Sequence, residues 1–439
     1  MINLPNHIIH VLSSLKASNY QAYLVGGCVR DYFLNRDIHD YDICTDATPE
    51  QVMAVFKDQT IIPTGLQHGT VTLVLNKEHI EITTFRIDSD YLDNRHPESV
   101  TFTKSLKEDL ARRDFTINAL ALDSEGNLYD YFNGQEDLNN RLISCVNNPN
   151  TRFREDALRI LRALRFSSVL SFTIQDKTKQ AIFEDKDLLN NIAYERIKIE
   201  MDKLLCGANV EQVLTDYVDV IGVFIPELLP MVGFNQHNKH HIYDVYTHTL
   251  KVLLHTPQDP IFRWAALLHD IGKVDTFTLD ETGGHFYDHE LVSTDIARVI
   301  LNRLKFDNTS KRRILNIIKY HMLQTTLSKK SIKRKLHKVG LDTLNDLILF
   351  KKADLIGKGF NYQDNLNELE QYQVLLEEII QDQEAFSIKD LSINGHDLMN
   401  LNIQGKEIGY TLDKLLTLVI NNDLPNDKDS LLNYVKSHL

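Results

Sequence analysis

Carboxylates, arginines and histidines at particular spacings carry the chemistry available to this sequence. Asp40-Tyr41-Asp42 places two carboxylates two residues apart. On a strand they point to one face, where they repel unless a divalent cation lies between them. Mg²⁺ takes one or two carboxylates and completes its shell with substrate phosphates, the arrangement that nucleotide transfer needs. In isolation such a pair is usually two exposed loop aspartates, so its surroundings matter. Upstream, Leu24-Val25-Gly26-Gly27-Cys28-Val29-Arg30-Asp31 reads as a strand entering two glycines and then a helix. Glycines there let the backbone approach a ligand, and the helix start favours an anion. Downstream, Ile80-Glu81-Ile82-Thr83 reads as a strand offering Glu81 as a third carboxylate. Thr64-Gly65-Leu66-Gln67-His68-Gly69-Thr70 is a glycine-punctuated turn before a strand. Arg112-Arg113-Asp114 precedes Phe115 to Leu120, read as a helix start with Asn118 inside it. Arginines clamp triphosphate oxygens bidentately.

Two further constellations stand apart. Glu155-Asp156-x-x-Arg159 predicts Asp156 and Arg159 on one face of a helix. An ordinary ion pair fits that spacing, and so does base reading. Cytosine and adenine both present an amino donor beside a ring-nitrogen acceptor, while guanine and uracil present the reverse. A carboxylate next to a guanidinium therefore matches C and A and mismatches G and U. The second constellation is histidine-rich: of 18 histidines, eight lie between His237 and His289. Within it, an apolar helix ends in His269-Asp270-Ile271-Gly272-Lys273, with His248 and Asp354 as outlying partners. Imidazole and carboxylate ligands suit Mn²⁺, Fe, Co²⁺, Ni²⁺ or Zn²⁺ better than Mg²⁺.

The elements that must position these groups divide the chain. Up to about residue 150, helical stretches (Ile8 to Leu15) alternate with strand-like ones (Tyr23-Leu24-Val25, Thr70 to Leu75, Glu78 to Phe85), predicting a small mixed α/β head. From Phe153 onward the pattern is almost entirely helical, with Ala157-Leu158, Leu161, Leu164-Arg165 and Val169 at three- and four-residue steps. Pro226, Pro230 and Gly233 mark a break. The expected division is 1–150, the mixed α/β head; 151–235, a helical neck; 236–358, the histidine-rich domain; and 359–439, a helical tail.

The 439 residues are 43% hydrophobic and 25% charged, an ordinary composition for a soluble protein. No apolar run approaches the roughly 20 residues of a membrane span, and the first residues lack a secretory pattern. Cys28, Cys44, Cys145 and Cys206 are too scattered for a disulfide framework or a C-x-x-C pair. The expectation is a cytoplasmic protein with no membrane partner; oligomeric state is not legible. The net charge of −13 runs against a nucleic-acid binder, although only the surface touching phosphate must be basic. Lys311-Arg312-Arg313 and Lys329-Lys330 with Lys333-Arg334-Lys335 are basic clusters, read first as solvated helix faces.

In order, Gly26-Gly27-Cys28-Val29-Arg30-Asp31, Asp40-x-Asp42, His68-Gly69-Thr70, Arg112-Arg113-Asp114-Phe115-Thr116-Ile117-Asn118-Ala119 and Phe153-Arg154-Glu155-Asp156-x-x-Arg159-Ile160-Leu161-Arg162-Ala163 resemble the class II tRNA nucleotidyltransferase and bacterial poly(A) polymerase family. The resemblance implies an α+β fold: a polymerase-β-type head followed by a mostly helical neck, an HD domain and a tail. It implies Asp40 and Asp42 as ligands of two Mg²⁺ ions, with Glu81 as a third catalytic carboxylate. One metal activates the primer's 3′-hydroxyl and the other holds the triphosphate and leaving pyrophosphate. Nucleotide binding falls to Gly26, Gly27, Arg30, His68, Gly69, Thr70, Arg112, Arg113, Asp114, Asn118, Glu155, Asp156, Arg159 and Arg162, with Glu155 orienting Arg159. Glu195-Arg196-Ile197 resembles another family segment that supports the neck.

Asp90-Tyr91-x-Asp93-x-Arg95-His96-Pro97-Glu98-x-Val100-x-Phe102 resembles the loop that family members use when switching from C to A, which argues against CC-only addition. The end of the chain, Leu391 to Asn426, resembles the tRNA-holding region of CCA-adding members. Separately, His248, His269-Asp270 and Asp354 resemble the HD metal phosphohydrolase superfamily, and His289 and His321 fit its two-metal members. The implied activity is CCA addition to tRNA from CTP and ATP, with an HD phosphohydrolase that repairs 3′ ends. The alternatives are A-only addition, an HD phosphohydrolase with a nucleotide-binding head, or an RNA-binding quality-control protein without turnover.

Overall fold

The computed structural model describes residues 4–38, 40–63, 65–88, 100–237, 242–360 and 362–438. Of the segment read as the C-to-A loop, Asp90 to Phe102, residues 90–99 lie outside the described residues, as does Thr64, and Val100–Phe102 is a strand paired with Arg86–Asp88. The chain forms two compact units, Met1–Pro226 and Glu227–Leu439, and the proline-marked break falls at their junction.

The first unit is built on a seven-stranded sheet in the order Thr60–Ile62, Thr70–Leu75, Glu78–Thr84, Asp42–Thr45, Ala22–Val25, Leu120–Leu122, Leu128–Asp130. One neighbouring pair, Asp42–Thr45 with Glu78–Thr84, is parallel and the others are antiparallel. The three strands read from the sequence are present, and their alternation is visible in burial: Val71, Leu73, Ile80 and Ile82 are all buried. The central strands are apolar on both faces, with Leu24, Val25, Ile43 and Cys44 buried, as expected of strands covered on two sides. Helices start where the sequence provides caps: Thr48 and Gln51 form a capping box before Pro49–Val55, and Asn148 caps Pro149–Glu155, whose first residue is proline.

Three expectations need correction. The strand after the D-x-D pair begins at Asp42, so Asp40 and Tyr41 precede it rather than sharing it. The run after Arg112-Arg113-Asp114 makes only one 3-10 turn, Thr116–Asn118, and then becomes the strand Leu120–Leu122. That run is buried throughout, and its apolar end is of strand length and sits inside the sheet. Finally, the helix expected to carry both Asp156 and Arg159 is two helices, Pro149–Glu155 and Leu158–Leu170, with Asp156 extended at the break (φ −138°, ψ 102°). The Asp156 carboxylate accepts the Leu158 N–H at 3.1 Å, so the side chain competes with the helix backbone and starts the second helix instead.

Among the described residues, the regular structure of the second unit is helical except for one hairpin, Phe277–Asp280 with Gly283–Phe286, which the helical reading of this region did not anticipate. The helices Val245–His255 and Leu341–Gly357 meet where Gly357 lies against Val252. A Cβ on Gly357 would stand 2.9 Å from the Val252 backbone nitrogen, so a glycine is needed for this approach. Apolar clusters around Leu344, Tyr372 and Ile379, and around Leu398, Leu416 and Leu431, form the cores of the later helices. No helix among the described residues is long and apolar enough to cross a membrane.

Candidate active site and candidate metal centre

In the first unit, strand register brings the Gly26-Gly27 pair and the carboxylates together. Val25 is paired with Asp42, and Asp42 in turn with Glu81. The glycine pair therefore leaves its strand beside the residue where the acidic strand begins. Gly26 has φ +77°, and a Cβ there would lie 3.0 Å from Arg113 Nη1 and 3.5 Å from Asp42 Oδ2, so the backbone runs between a carboxylate and a guanidinium. Burial pushes the Asp42 carboxyl up; Arg113 opposes this, while Glu81 and Asp40 add to it. Asp40 and Glu81 are exposed. Asp42 thus feels two neighbouring carboxylates and the Arg113 guanidinium, a donor set that suits Mg²⁺ and a repulsion that a divalent cation would relieve.

The arginines are held from behind. Asp109, fully buried, accepts from Arg112 Nε at 2.9 Å and lies 3.8 Å from Arg113 Nη2. Sequence reasoning missed Asp109, although its three- and four-residue spacing to the two arginines was the available signal. His68 lies in an exposed turn whose carbonyl accepts from Arg86. Thr70 Oγ1 bonds Thr83 Oγ1 at 3.0 Å.

Arg30, Asn118 and Asp114, all buried, form a chain that ends at the half-buried Arg162. Arg30 makes a bidentate pair with Asp31 (3.0 and 2.9 Å) and donates to Asn118 Oδ1 at 2.7 Å. Asn118 donates to Asp114 Oδ1 at 3.0 Å, and Arg162 donates to Asp114 Oδ2 at 2.7 Å from Nε. Despite the burial that would raise it, Asp114 is held well below the usual carboxylate range by Arg162, with Asn118 and Arg159 contributing. Arg30, Arg162 and Arg165 also surround the Phe166 ring at 4.9, 5.3 and 4.1 Å.

Asp156 and Arg159 do not pair with each other. Asp156 Oδ2 lies 3.0 Å from Arg196 Nη2. Arg159 donates to Glu155 Oε2 at 2.7 Å and to the Arg112 carbonyl at 2.9 Å. The intrahelical ion pair is thus replaced by two separate clamps, one of them Arg196 from the helix Tyr194–Leu205.

In the second unit all six predicted ligands converge. Ligand atoms of His248, His269 and Asp354 lie within 4.8 Å of one another, as do those of Asp270, His289 and His321, and all six residues are buried. Asp270 joins the groups: Oδ2 is 3.2 Å from His269 Nε2, and Oδ1 is 3.4 Å from His289 Nε2. Each histidine turns Nδ1 to a backbone carbonyl: His248 to Gly357, His269 to Ala266, His289 to Phe286 and His321 to Ile318. That fixes the tautomer and leaves Nε2 facing the cluster, the outer arrangement of metal-ligating histidines. His269 Nε2 is buried without a hydrogen bond. Burial, together with His269 and His289, pushes His321 down to about 3, so it is neutral and able to ligate near pH 7.

The basic clusters keep exposed members, Arg312 and Arg334 among them, while three of their cations pair with acids. Arg313 makes a bidentate pair with Asp346 at 2.7 and 2.8 Å. Lys329 and Lys333 both reach Glu384 at 2.9 Å.

Comparison with known proteins fits this geometry. Residues 22–144 match the poly A polymerase head domain, 171–228 the probable RNA and SrmB-binding site of polymerase A, and 289–435 the putative tRNA nucleotidyltransferase domain 2. The CCA-adding enzyme of Oceanobacillus iheyensis is 35% identical over 97% of this chain and 95% of its own length. That of Staphylococcus haemolyticus is 33% identical over 98% and 97%. The crystal structure of Bacillus stearothermophilus CCA-adding enzyme in complex with CTP superposes with a TM-score of 0.73 at 29% identity, covering 98% of this chain and 96% of that one. The chain belongs to the CCA-adding enzyme family of nucleotidyltransferases, with the head it shares with poly(A) polymerases.

Proposed function

We propose that this chain completes the 3′ end of tRNA, adding C, C and A from CTP and ATP without a nucleic-acid template. The register that sets Gly26, Asp42 and Glu81 side by side, with Arg113 across from them, carries this reading. Residues 1–150 act as the head, 151–235 as the neck, 236–358 as an HD domain and 359–439 as the tRNA-holding tail.

In the reaction the tRNA 3′-oxygen attacks the α-phosphorus of the nucleotide, its proton departs, and the bond to the β-phosphate oxygen breaks to release pyrophosphate. Asp40 and Asp42, with Glu81 beside them, would hold Mg²⁺, which would supply activation of the hydroxyl and neutralisation of the leaving charge. Gly26 and Gly27 let the backbone approach the phosphates. Arg112 and Arg113 clamp triphosphate oxygens, and Asp109 keeps both guanidiniums aimed. Arg30, Asn118, Asp114 and Arg162 tie the phosphate loop to the neck. Asp156 accepts the amino hydrogen of C or A, and Arg159 donates to the ring nitrogen. Guanine and uracil set their carbonyl against the Asp156 carboxylate, acceptor against acceptor, and their ring N–H against Arg159, donor against donor, and are refused.

Product sequencing tests the reading. Transcripts ending at the discriminator base, at C and at CC are incubated with Mg²⁺, CTP and ATP. All three finish as CCA if one site performs both specificities. Growth of the CC-ended transcript alone, by a single A, makes this an A-adding enzyme, and no growth refutes the head assignment.

The six buried ligands support a second activity in the same chain: an HD-type phosphohydrolase using a transition metal such as Mn²⁺, Ni²⁺, Co²⁺, Fe or Zn²⁺, which frees blocked 3′ ends for the head to extend. Metal content and release of phosphate from RNA ending in a 3′-phosphate, compared between wild type and His269→Ala, test it. Equal metal content in both would remove this reading.

A further inference from the structure

Beside the histidine cluster, the second unit carries two unequal cavities that meet at Lys358. The one at the metal ligands, reaching Asp270, His289, His321 and Asp354, has a volume of about 260 Å³. Its neighbour has about 960 Å³ and is walled by the segment after His321, the end of the helix Leu341–Gly357 and the start of the helix Gln363–Gln381. Ligand sites for small organic molecules run from about 300 to 1,000 Å³. The first cavity therefore suits a phosphate among metal ligands, and the second suits a larger group attached to it.

The chamber's chemistry narrows that group. Lys351, Leu355 and Lys358 recur along one stripe of the helix and line it. Both lysines approach Asp354 Oδ2 only loosely, at 3.7 and 3.5 Å, whereas Lys273 holds Asp270 at 2.7 Å. The acid in the wall, Glu368, accepts from Thr325 Oγ1 at 2.7 Å. Two cations are thus poised for an anion at the end of the chamber nearest the metal ligands. Phe360, 42% exposed, and Tyr362 supply aromatic rings, and Gln324 and Asn365 supply amides able to meet a base edge.

We propose that this chamber binds a nucleoside monophosphate unit, with its base against Phe360 and Tyr362 and its phosphate on Lys351 and Lys358, facing the metal ligands. Binding of the base rests on the chamber alone; delivery of the phosphate for cleavage rests on the reading of the histidine cluster as a metal site. The ligand is a free nucleotide or the last residue of an RNA chain, which share this chemistry.

Fluorescence of a full-length Phe360→Trp variant reads the chamber directly, because the natural Trp264 is buried in the core. Adenosine 3′-monophosphate and a short RNA bearing a 3′-phosphate are each expected to quench it, and inorganic phosphate is not. Tighter binding of the RNA identifies the RNA end as the source, and equal binding identifies the free nucleotide. Adding Lys351→Ala weakens quenching about tenfold, the scale of one lost bond to a charged group. If Trp at position 360 disturbs folding, calorimetric titration of wild type against Lys351→Ala makes the same comparison. Absence of quenching, or quenching that Lys351→Ala leaves unchanged, overturns the proposal. So does loss of binding on Tyr287→Ala, since Tyr287 lines the smaller cavity on the opposite, hairpin side. Metal content is measured in parallel. A chain that binds the nucleotide but no metal keeps the chamber and loses the metal site; the converse loses only the chamber.

Discussion

Replacing Asp114 by Asn tests the polar chain that joins Arg30, beside the Gly26-Gly27 pair, to Arg162 on the helix Leu158–Leu170. Asp114 accepts from Arg162 Nε at 2.7 Å, from Asn118 Nδ2 at 3.0 Å and from the Phe115 N–H at 2.8 Å. Hydrogen bonds to charged groups contribute about 1.5–3 kcal/mol each, and breaking a buried ion pair costs about 3–5 kcal/mol in total. The Arg162 side chain is 31% exposed, so water partly takes over the lost partner, and the lower end, about 3 kcal/mol, is expected. The pH dependence follows from the depressed Asp114 carboxyl. A carboxylate whose pKa is lowered by folding contributes fully above its unfolded value, about 3.9, and loses that contribution as pH falls toward the folded value. Wild type should therefore exceed Asp114→Asn by a constant amount from pH 7 to about 4. Below that the gap should close by up to about 1.4 kcal/mol per pH unit. The chain offers a unit-specific assay. All four cysteines lie in the first unit and three are buried, whereas Trp264 lies in the second. Thiol exposure in urea, measured with a pyridyl disulfide that reacts in acid, reports the first unit; tryptophan fluorescence is the internal control. A gap that stays constant to pH 3, or widens there, would refute the role given to this charge.

Asp42→Ala should lower nucleotide addition at least about a thousandfold, the rate equivalent of about 4 kcal/mol of lost charge stabilisation; single-turnover incorporation checks it, and near wild-type rates would sink the head assignment. Arg196→Ala frees the Asp156 carboxylate from its 3.0 Å clamp and should erode discrimination against GTP and UTP about tenfold or more, the worth of one bidentate base contact. Competition between CTP and GTP in incorporation reads this, and Asp156→Ala should relax the choice at least as far. Gly357→Ala puts a methyl against Val252 and should cost about 1–3 kcal/mol by overpacking. Because His248 and Asp354 lie 3.4 Å apart across that contact, metal affinity in the second unit should fall with it, as titration with Mn²⁺ would reveal.

The sequence was most informative where chemistry and periodicity coincide. The strands around residues 23, 70 and 80 were legible because β-branched runs were bounded by Gly and Asn, and the cluster of six His and Asp side chains in the second unit because adjacent His and Asp end an apolar helix. What escaped depends on tertiary partners. The segment after Asp114 carries a helix-like run of Phe, Thr, Ile and Asn, yet its place inside the sheet makes Leu120–Leu122 a strand, because burial overrides local preference. The ion pairs of Arg313 and Lys333 were not legible because their acids, Asp346 and Glu384, are distant in sequence. Asp109 was passed over because an acid near arginines is common on helix surfaces, and spacing does not reveal that this one is buried.

The break at Asp156 has a consequence for base selection that a continuous helix would not give. On one helical face, a carboxylate and a guanidinium three residues apart neutralise each other, and each loses the lone pair or N–H that a base would need. Here the helix stops at Glu155 and restarts at Leu158. The lost backbone hydrogen bonds cost about 1 kcal/mol each, offset in part by the cap to Leu158 and the pair with Arg196. Asp156 is steadied by a cation from another helix and Arg159 by Glu155 in the preceding turn. Each carboxylate oxygen has two lone pairs, and a guanidinium has five donors, so both residues keep capacity while their orientation is fixed. On the proposed reading, the fidelity of this site is therefore a property of four residues rather than two. Arg196→Lys, which preserves the charge but not the planar fork, should cost part of the discrimination while leaving the stability of the first unit close to wild type. Unchanged discrimination in that variant would mean that Asp156 needs only a nearby positive charge, and the clamp argument would fail.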